Sequence, residues 1–127
     1  IPGARETFEA VAERHPVGVM TNGFAEVQEK KLDRFPMLRE RSEAVVICED
    51  VGVLKPDPAV FDHATDEAGV SPEDVLYVGD SYRSDVEGAQ PVGWRVAWYA
   101  RNGTNGQSTN DRGFSFSDWA TLRERLG

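Results

Sequence analysis

Four positions carry groups with evident chemistry: the hydroxyl of Thr21 beside Asn22, the ammonium of Lys55, and the carboxylates of Asp80 and Asp85. A hydroxyl with nearby backbone N–H groups, a cation and acidic metal ligands are together what a phosphoryl group and its Mg²⁺ require. Taken singly, each has a plainer explanation. Thr21-Asn22-Gly23 reads as a turn, Lys55 as a solvated surface cation, and Asp85 as an acid favoured by a helix N-terminus. The combination is more specific than its members, because one binding event would use all of them.

These residues matter jointly only if the fold gathers them, and the pattern of elements predicts that it does. Val17 to Met20, Ala44 to Cys48, Val75 to Val78 and Arg95 to Tyr99 are short apolar runs of strand length. Helical stretches separate them. One carries Phe8, Val11 and Ala12 at helical spacing, a charged one covers about Ala25 to Arg34, and a third opens at the Asp57-Pro58 cap and ends at Gly69. A short helix starts near Ser84, with Pro91 ending or kinking it. Asn102 to Gly113 is a polar loop of the flexible surface kind, and Ser117-Asp118 caps a closing helix with Trp119, Leu122 and Leu126 on one face. Alternating strands and helices predict an α/β fold, a doubly wound parallel sheet in one domain over residues 1–127. Such sheets bind ligands at the carboxyl ends of their strands, where Thr21, Lys55, Asp80 and Asp85 are expected.

In order and context these segments resemble motifs two, three and four of the haloacid dehalogenase (HAD) superfamily. Val17-Gly18-Val19-Met20-Thr21-Asn22-Gly23 is similar to motif two, and Gly52-Val53-Leu54-Lys55-Pro56-Asp57-Pro58 with Phe61 to motif three. Val78-Gly79-Asp80-Ser81 through Ser84-Asp85, with Gly88-Ala89, is similar to motif four. The resemblance implies a HAD-like, Rossmannoid core. It also implies that Thr21 and Asn22 bind phosphate oxygens, that Lys55 neutralises the nucleophile and phosphoryl oxygens, and that Asp80 and Asp85 serve Mg²⁺, Asp85 through its water shell or from behind.

Family members attack phosphorus with the first aspartate of an Asp-x-Asp motif, and no Asp-x-Asp occurs in these 127 residues. Ile1-Pro2-Gly3 resembles the segment by which members with a helical cap inserted after motif one re-enter the core. The expectation is therefore a C-terminal part of the enzyme core, lacking the motif-one strand and the cap and inactive alone. In the family that strand lies at the sheet centre, between those bearing motifs two and four, so a gap is expected there, filled by an upstream segment or another chain. Pro91, where relatives continue the helix, and the long loop from Gly103 to Gly113 depart from the pattern.

The Gly79-Asp80-Ser81-x-x-x-Asp85 form of motif four favours a phosphatase over the Mg²⁺-independent dehalogenases of the same superfamily. Thr21-Asn22-Gly23-Phe24 with Gln28 and Leu32, then Cys48 to Val53 and Lys55-Pro56, resembles the pyrimidine 5′-nucleotidase and sugar-phosphate phosphatase branch. A small phosphorylated metabolite is the implied substrate. Two other classes fit less well. A receiver-type phosphoacceptor domain places its acids first and its lysine last, opposite to the order Thr21, Lys55, Asp80. A noncatalytic interaction module gives Lys55 and Asp80 no reason to occur together.

A net charge of −8 disfavours nucleic acid and anionic membranes, both of which need a cationic face. It is also compatible with work at high salt, where screening reduces self-repulsion. No apolar run is long enough to span a bilayer. The single cysteine, Cys48, sits in an apolar run and reads as a small buried hydrophobe, which suits a reducing cytoplasm. His15 and His63 lack ligand spacing and read as structural.

Overall fold

The computed structural model describes residues 4–21, 30, 42–48 and 52–126, and the charged helical stretch over 25–34 lies almost wholly outside them. Helix α1 (Ala4–Ala12) leads to strand β1 (Val17–Thr21), which pairs in parallel with β2 (Ser42–Ile47) from Val17↔Ser42 to Thr21↔Ile47. Helix α2 (Pro58–Ala68) follows, then β3 (Leu76–Gly79), β4 (Arg95–Tyr99), β5 (Phe114–Phe116) and the closing helix α3 (Trp119–Leu126). Strands β3, β4 and β5 form a second parallel sheet in that order. The described strands thus fall into two parallel groups. They divide between the strand ending at Thr21 and the strand ending at Gly79, where a gap is expected.

Local chemistry sets the boundaries of α2. The Asp57 side chain accepts from the Ala59 N–H at 2.9 Å, and Pro58 takes the first helical position, where a missing N–H costs nothing. At the other end Gly69 turns left-handed (φ 70°), and its N–H reaches the carbonyls of Thr65 and Asp66. The inner side buries Val60, Phe61 and Thr65.

Strand β4 joins the two halves of the core, since alternate residues of a strand face opposite ways. Val96, Trp98 and Ala100 enter a cluster with Val46, Cys48, Val60, Phe61, Val86, Ala89 and Trp94. Ala97 and Tyr99 enter another with Phe116 and Leu122, against which Trp119 and Leu126 also pack. A strand buried on both faces reads as one continuous apolar run, as Val96 to Ala100 does.

Two features differ from the sequence reading. Strand β5 is a short fifth strand, Phe-Ser-Phe, too brief for a period to register. The loop before it is tied to the body rather than loose. The Arg112 guanidinium donates to the Gly93 and Glu73 carbonyls, both at 3.2 Å, and the Asn110 N–H donates to Gln90 Oε1 at 2.7 Å. The Tyr82 hydroxyl donates to the Ser108 carbonyl at 2.9 Å. The helix expected near Ser84 begins as a π-helical turn (Tyr82–Val86), continues as one α-turn (Glu87–Ala89), and ends as a 3₁₀ turn (Gln90–Val92) carrying Pro91.

His63 is exposed on α2 with Glu67 at 4.0 Å, and His15 Nε2 lies 3.4 Å from the Leu126 carbonyl oxygen. Among the described residues, no helix is long and apolar enough to cross a membrane.

Gly88 lets the chain after β3 lie against α2, for a Cβ there would meet the Phe61 ring at 2.8 Å and Pro56 Cβ at 2.9 Å. Gly88→Ala is expected to destabilise the protein by about 1–3 kcal/mol through overpacking, measured by urea unfolding. Cys48 is fully buried and burial pushes its thiol up. Its reaction with a disulfide reagent at neutral pH is expected to be negligible in the native protein and rapid in urea; fast native labelling would contradict this packing.

Candidate active site at the strand ends

Lys55 lies in the loop after β2, where Gly52 is left-handed (φ 93°) and its N–H donates to the Cys48 carbonyl at 3.1 Å. The Lys55–Pro56 peptide is cis. The lysine ammonium donates to Asp85 Oδ1 at 2.7 Å and to the Tyr77 hydroxyl at 2.8 Å. The Tyr77 hydroxyl in turn lies 3.1 Å from the same Oδ1, as donor. Asp85 Oδ2 accepts from the Ser81 N–H at 3.0 Å. Both carboxylate oxygens of Asp85 are therefore engaged.

This cluster is well removed from water, with side-chain exposures of 11% for Lys55 and 4% for Asp85. A buried carboxylate is tolerated when a cation and N–H donors satisfy it, as here. Burial, then the adjacent charge of Asp85, pushes the Tyr77 phenol well above its ordinary range. Tyr77 thus stays protonated and able to donate.

The π-helical turn places Asp85 back over the end of β3. Ser81 starts that turn by accepting from the Ser84 N–H at 3.2 Å, and the Asp85 N–H reaches the Ser81 carbonyl at 2.9 Å. Gly79 supplies the space beneath, because a Cβ there would fall 2.6 Å from Asp85 Cβ. Any larger residue at 79 would evict the carboxylate.

Asp80 stands apart from this buried cluster. It is exposed and lines an open cleft of about 300 Å³ with Trp98, Tyr99, Ala100, Arg101, Asn102, Gly103 and Asn105. Its carbonyl accepts from Trp98 Nε1 at 3.3 Å, which anchors the backbone below the free carboxylate. Thr21 is the last residue of β1, paired with Ile47, and Asn22 lies outside the described residues. Lys55 and Asp85, separate in the sequence, are brought into contact. Asp80 sits at the neighbouring strand end but faces the cleft.

Sequence reasoning missed Tyr77. Its signal is the strand period, since residues 77 and 79 of β3 share the face that meets Asp85. Tyr77 and Gly79 are respectively the polar-tipped and the smallest residue on that face, a pairing that marks a polar group packed against a strand. The position passed as one more apolar residue of a buried strand.

Removing the lysine should expose how much the carboxylate depends on it. Lys55→Met leaves Asp85 buried with only neutral donors. It is expected to cost about 3 kcal/mol in urea unfolding. A loss below about 1 kcal/mol would place Lys55 among exposed ion pairs.

Haloacid dehalogenase-like hydrolases match residues 1–93 as a family. Pyrimidine 5′-nucleotidase YjjG of Escherichia coli is 37% identical over 99 residues, which are 77% of this chain and 44% of that protein. Phosphoserine phosphatase of Thermus thermophilus is 38% identical over 98 residues, 76% of this chain and 39% of that protein. Among solved structures, a HAD phosphatase from Thermococcus onnurineus superposes with a TM-score of 0.84 at 29% identity, covering 100% of this chain and 58% of the other. The chain thus spans less than half the length of these two curated relatives. With the motif order and the α/β core on the same residues, the chain belongs to the haloacid dehalogenase-like hydrolase family.

Proposed function

We propose that this chain supplies the phosphate and metal side of a Mg²⁺-dependent phosphomonoester hydrolase acting on a small phosphorylated metabolite. The observation that carries the reading is the largely buried Lys55–Asp85 pair, 2.7 Å apart, at the carboxyl ends of β2 and β3 beside the exposed Asp80. A surface lysine needs no such support. A lysine that must hold its charge at one point, beside anionic oxygens, does.

In this reading the Lys55 ammonium offsets charge on the phosphoryl oxygens as it builds in the transition state. Its position is set in advance by Asp85. Thr21, at the end of β1, with the neighbouring Asn22, hydrogen-bonds the phosphate from the other strand group. Asp85 acts from behind, through Lys55 and the Ser81 N–H, rather than as a direct metal ligand.

Among the described residues no three His, Cys, Asp or Glu side chains cluster as a ready metal cage. Mg²⁺ does not need one, since it is commonly held by one or two carboxylates, with waters and phosphate oxygens completing the octahedron. Asp80, exposed at the cleft, fits as one such carboxylate. Bound there, the ion would neutralise phosphate charge and orient the ester.

The nucleophilic aspartate, and with it an aspartyl-phosphate, belongs to residues outside these 127, which contain no Asp-x-Asp. The chain by itself is accordingly proposed to be inactive. A reducing, cytoplasmic setting is supported by the buried free Cys48. The relatives' names point to different phosphate esters, so the substrate class is argued from the shared phosphate chemistry.

In the full-length protein, Asp80→Asn is expected to abolish Mg²⁺-dependent hydrolysis of p-nitrophenyl phosphate, and Lys55→Ala to depress kcat by about a hundredfold or more. Near-wild-type turnover with Asp80→Asn would remove Asp80 from the metal site.

A further inference from the structure

We infer that Tyr77 is a positioning residue that holds the Lys55 ammonium at its working point, a role that rests on the phosphomonoesterase reading above. A lysine amine hangs on a flexible four-carbon stem with several accessible rotamers. An anchor at Asp85 Oδ1 fixes one distance from the nitrogen; the Tyr77 hydroxyl, 2.8 Å from the same nitrogen, adds a second fixed point that narrows where the ammonium can sit.

The second point is itself rigid. Tyr77 is on β3, and its ring stands edge-on to Phe61 (centroids 6.2 Å, 82°) and to Trp94 (5.4 Å, 69°). Those two rings meet at 5.0 Å and 90°, closing a three-ring cluster behind the hydroxyl. A tyrosine has only two side-chain torsions, and here packing holds both.

The direction of the hydrogen bonds is also determined. The ammonium has no lone pair and can only donate, so the hydroxyl accepts from Lys55 and spends its own proton on Asp85 Oδ1. Lysine, tyrosine and aspartate form a closed triangle with one arrangement of protons. A phenylalanine at 77 keeps the ring packing and removes both hydroxyl bonds. Tyr77 does not line the cleft at Asp80, and its hydroxyl bonds are to Lys55 and Asp85, so an effect on turnover is expected to pass through that pair.

The test uses the full-length protein labelled with ¹⁵N-lysine. The Lys55 ammonium signal is identified by its loss in Lys55→Ala. In Tyr77→Phe that signal is expected to shift and broaden. Turnover of p-nitrophenyl phosphate at saturating Mg²⁺ should lose about threefold to tenfold in kcat, with KM nearly unchanged, the effect of the lost hydrogen bond to the ammonium. In a Lys55→Ala background the same substitution should add nothing further, since residues acting through one group are not additive. An unchanged Lys55 signal, an unchanged kcat, or a full additive loss in the double variant overturns the proposal. If the wild-type protein hydrolyses no phosphate ester, the phosphomonoesterase reading fails separately, and the ammonium signal alone decides whether Tyr77 holds Lys55.

Discussion

Taking a carboxylate out of water costs several kcal/mol unless a cation and N–H donors replace the lost hydration, and at Asp85 they do. Lys55 approaches from the loop after β2, Tyr77 from β3 and the Ser81 N–H from the π-helical turn, so three separate pieces of chain meet at one group. Removing any of them leaves buried polarity unsatisfied. Much around the cluster follows from that demand: Gly79 has no side chain because Asp85 occupies the place of one, and the π-turn swings the carboxylate back over the strand end. The arrangement also divides labour between the two acids of the last motif. Asp85 is consumed in holding Lys55, and Asp80 is left facing the open cleft.

Such a cluster needs a rigid frame. Strand β4 provides it by burying both faces, one row with α2 and the turns after β3, the other with β5 and α3. The aromatic group of Phe61, Tyr77 and Trp94 belongs to the first row and backs directly onto the polar triangle. Packing energy and charge placement are therefore coupled, because a change in the ring cluster moves the hydroxyl that steadies the lysine. The loop from Arg101 to Gly113 is coupled in the same way. Its Arg112 and Asn110 bonds hold it against the body, while its opening residues form the wall of the cleft opposite Asp80.

The family resemblance of the motifs and the comparisons agree on a haloacid dehalogenase-like core. The Mg²⁺-independent dehalogenases belong to the same superfamily. Fold alone therefore does not choose between halide and phosphate chemistry. In the proposed reading, the spacing of Asp80 and Asp85 about Ser81 favours phosphate, together with a lysine held by Asp85 and Tyr77.

Much of this molecule was legible in its residues. Strand β4 was read with the bounds it has, because five apolar or alternating residues between Gly93 and the polar loop allow little else. Helix α2 was equally plain from Asp57-Pro58 at its start and Gly69 at its end, since capping is local chemistry. Lys55, Asp80 and Asp85 were found as types at strand ends. Which of them would touch was not legible, because a contact across 30 residues depends on how β2, β3 and the π-turn pack. For the same reason Tyr77 passed as one more apolar strand residue, and Asp85 was expected in the metal's water shell or in support of the site, with no sign that Lys55 would be its partner. Sequence alone determined most of the described elements, though not β5, and the chemical inventory, through caps, periods and residue types that act within a few positions. Only tertiary structure decided that Asp85 faces inward to a lysine and a tyrosine while Asp80 faces out, because burial is a property of the packed chain.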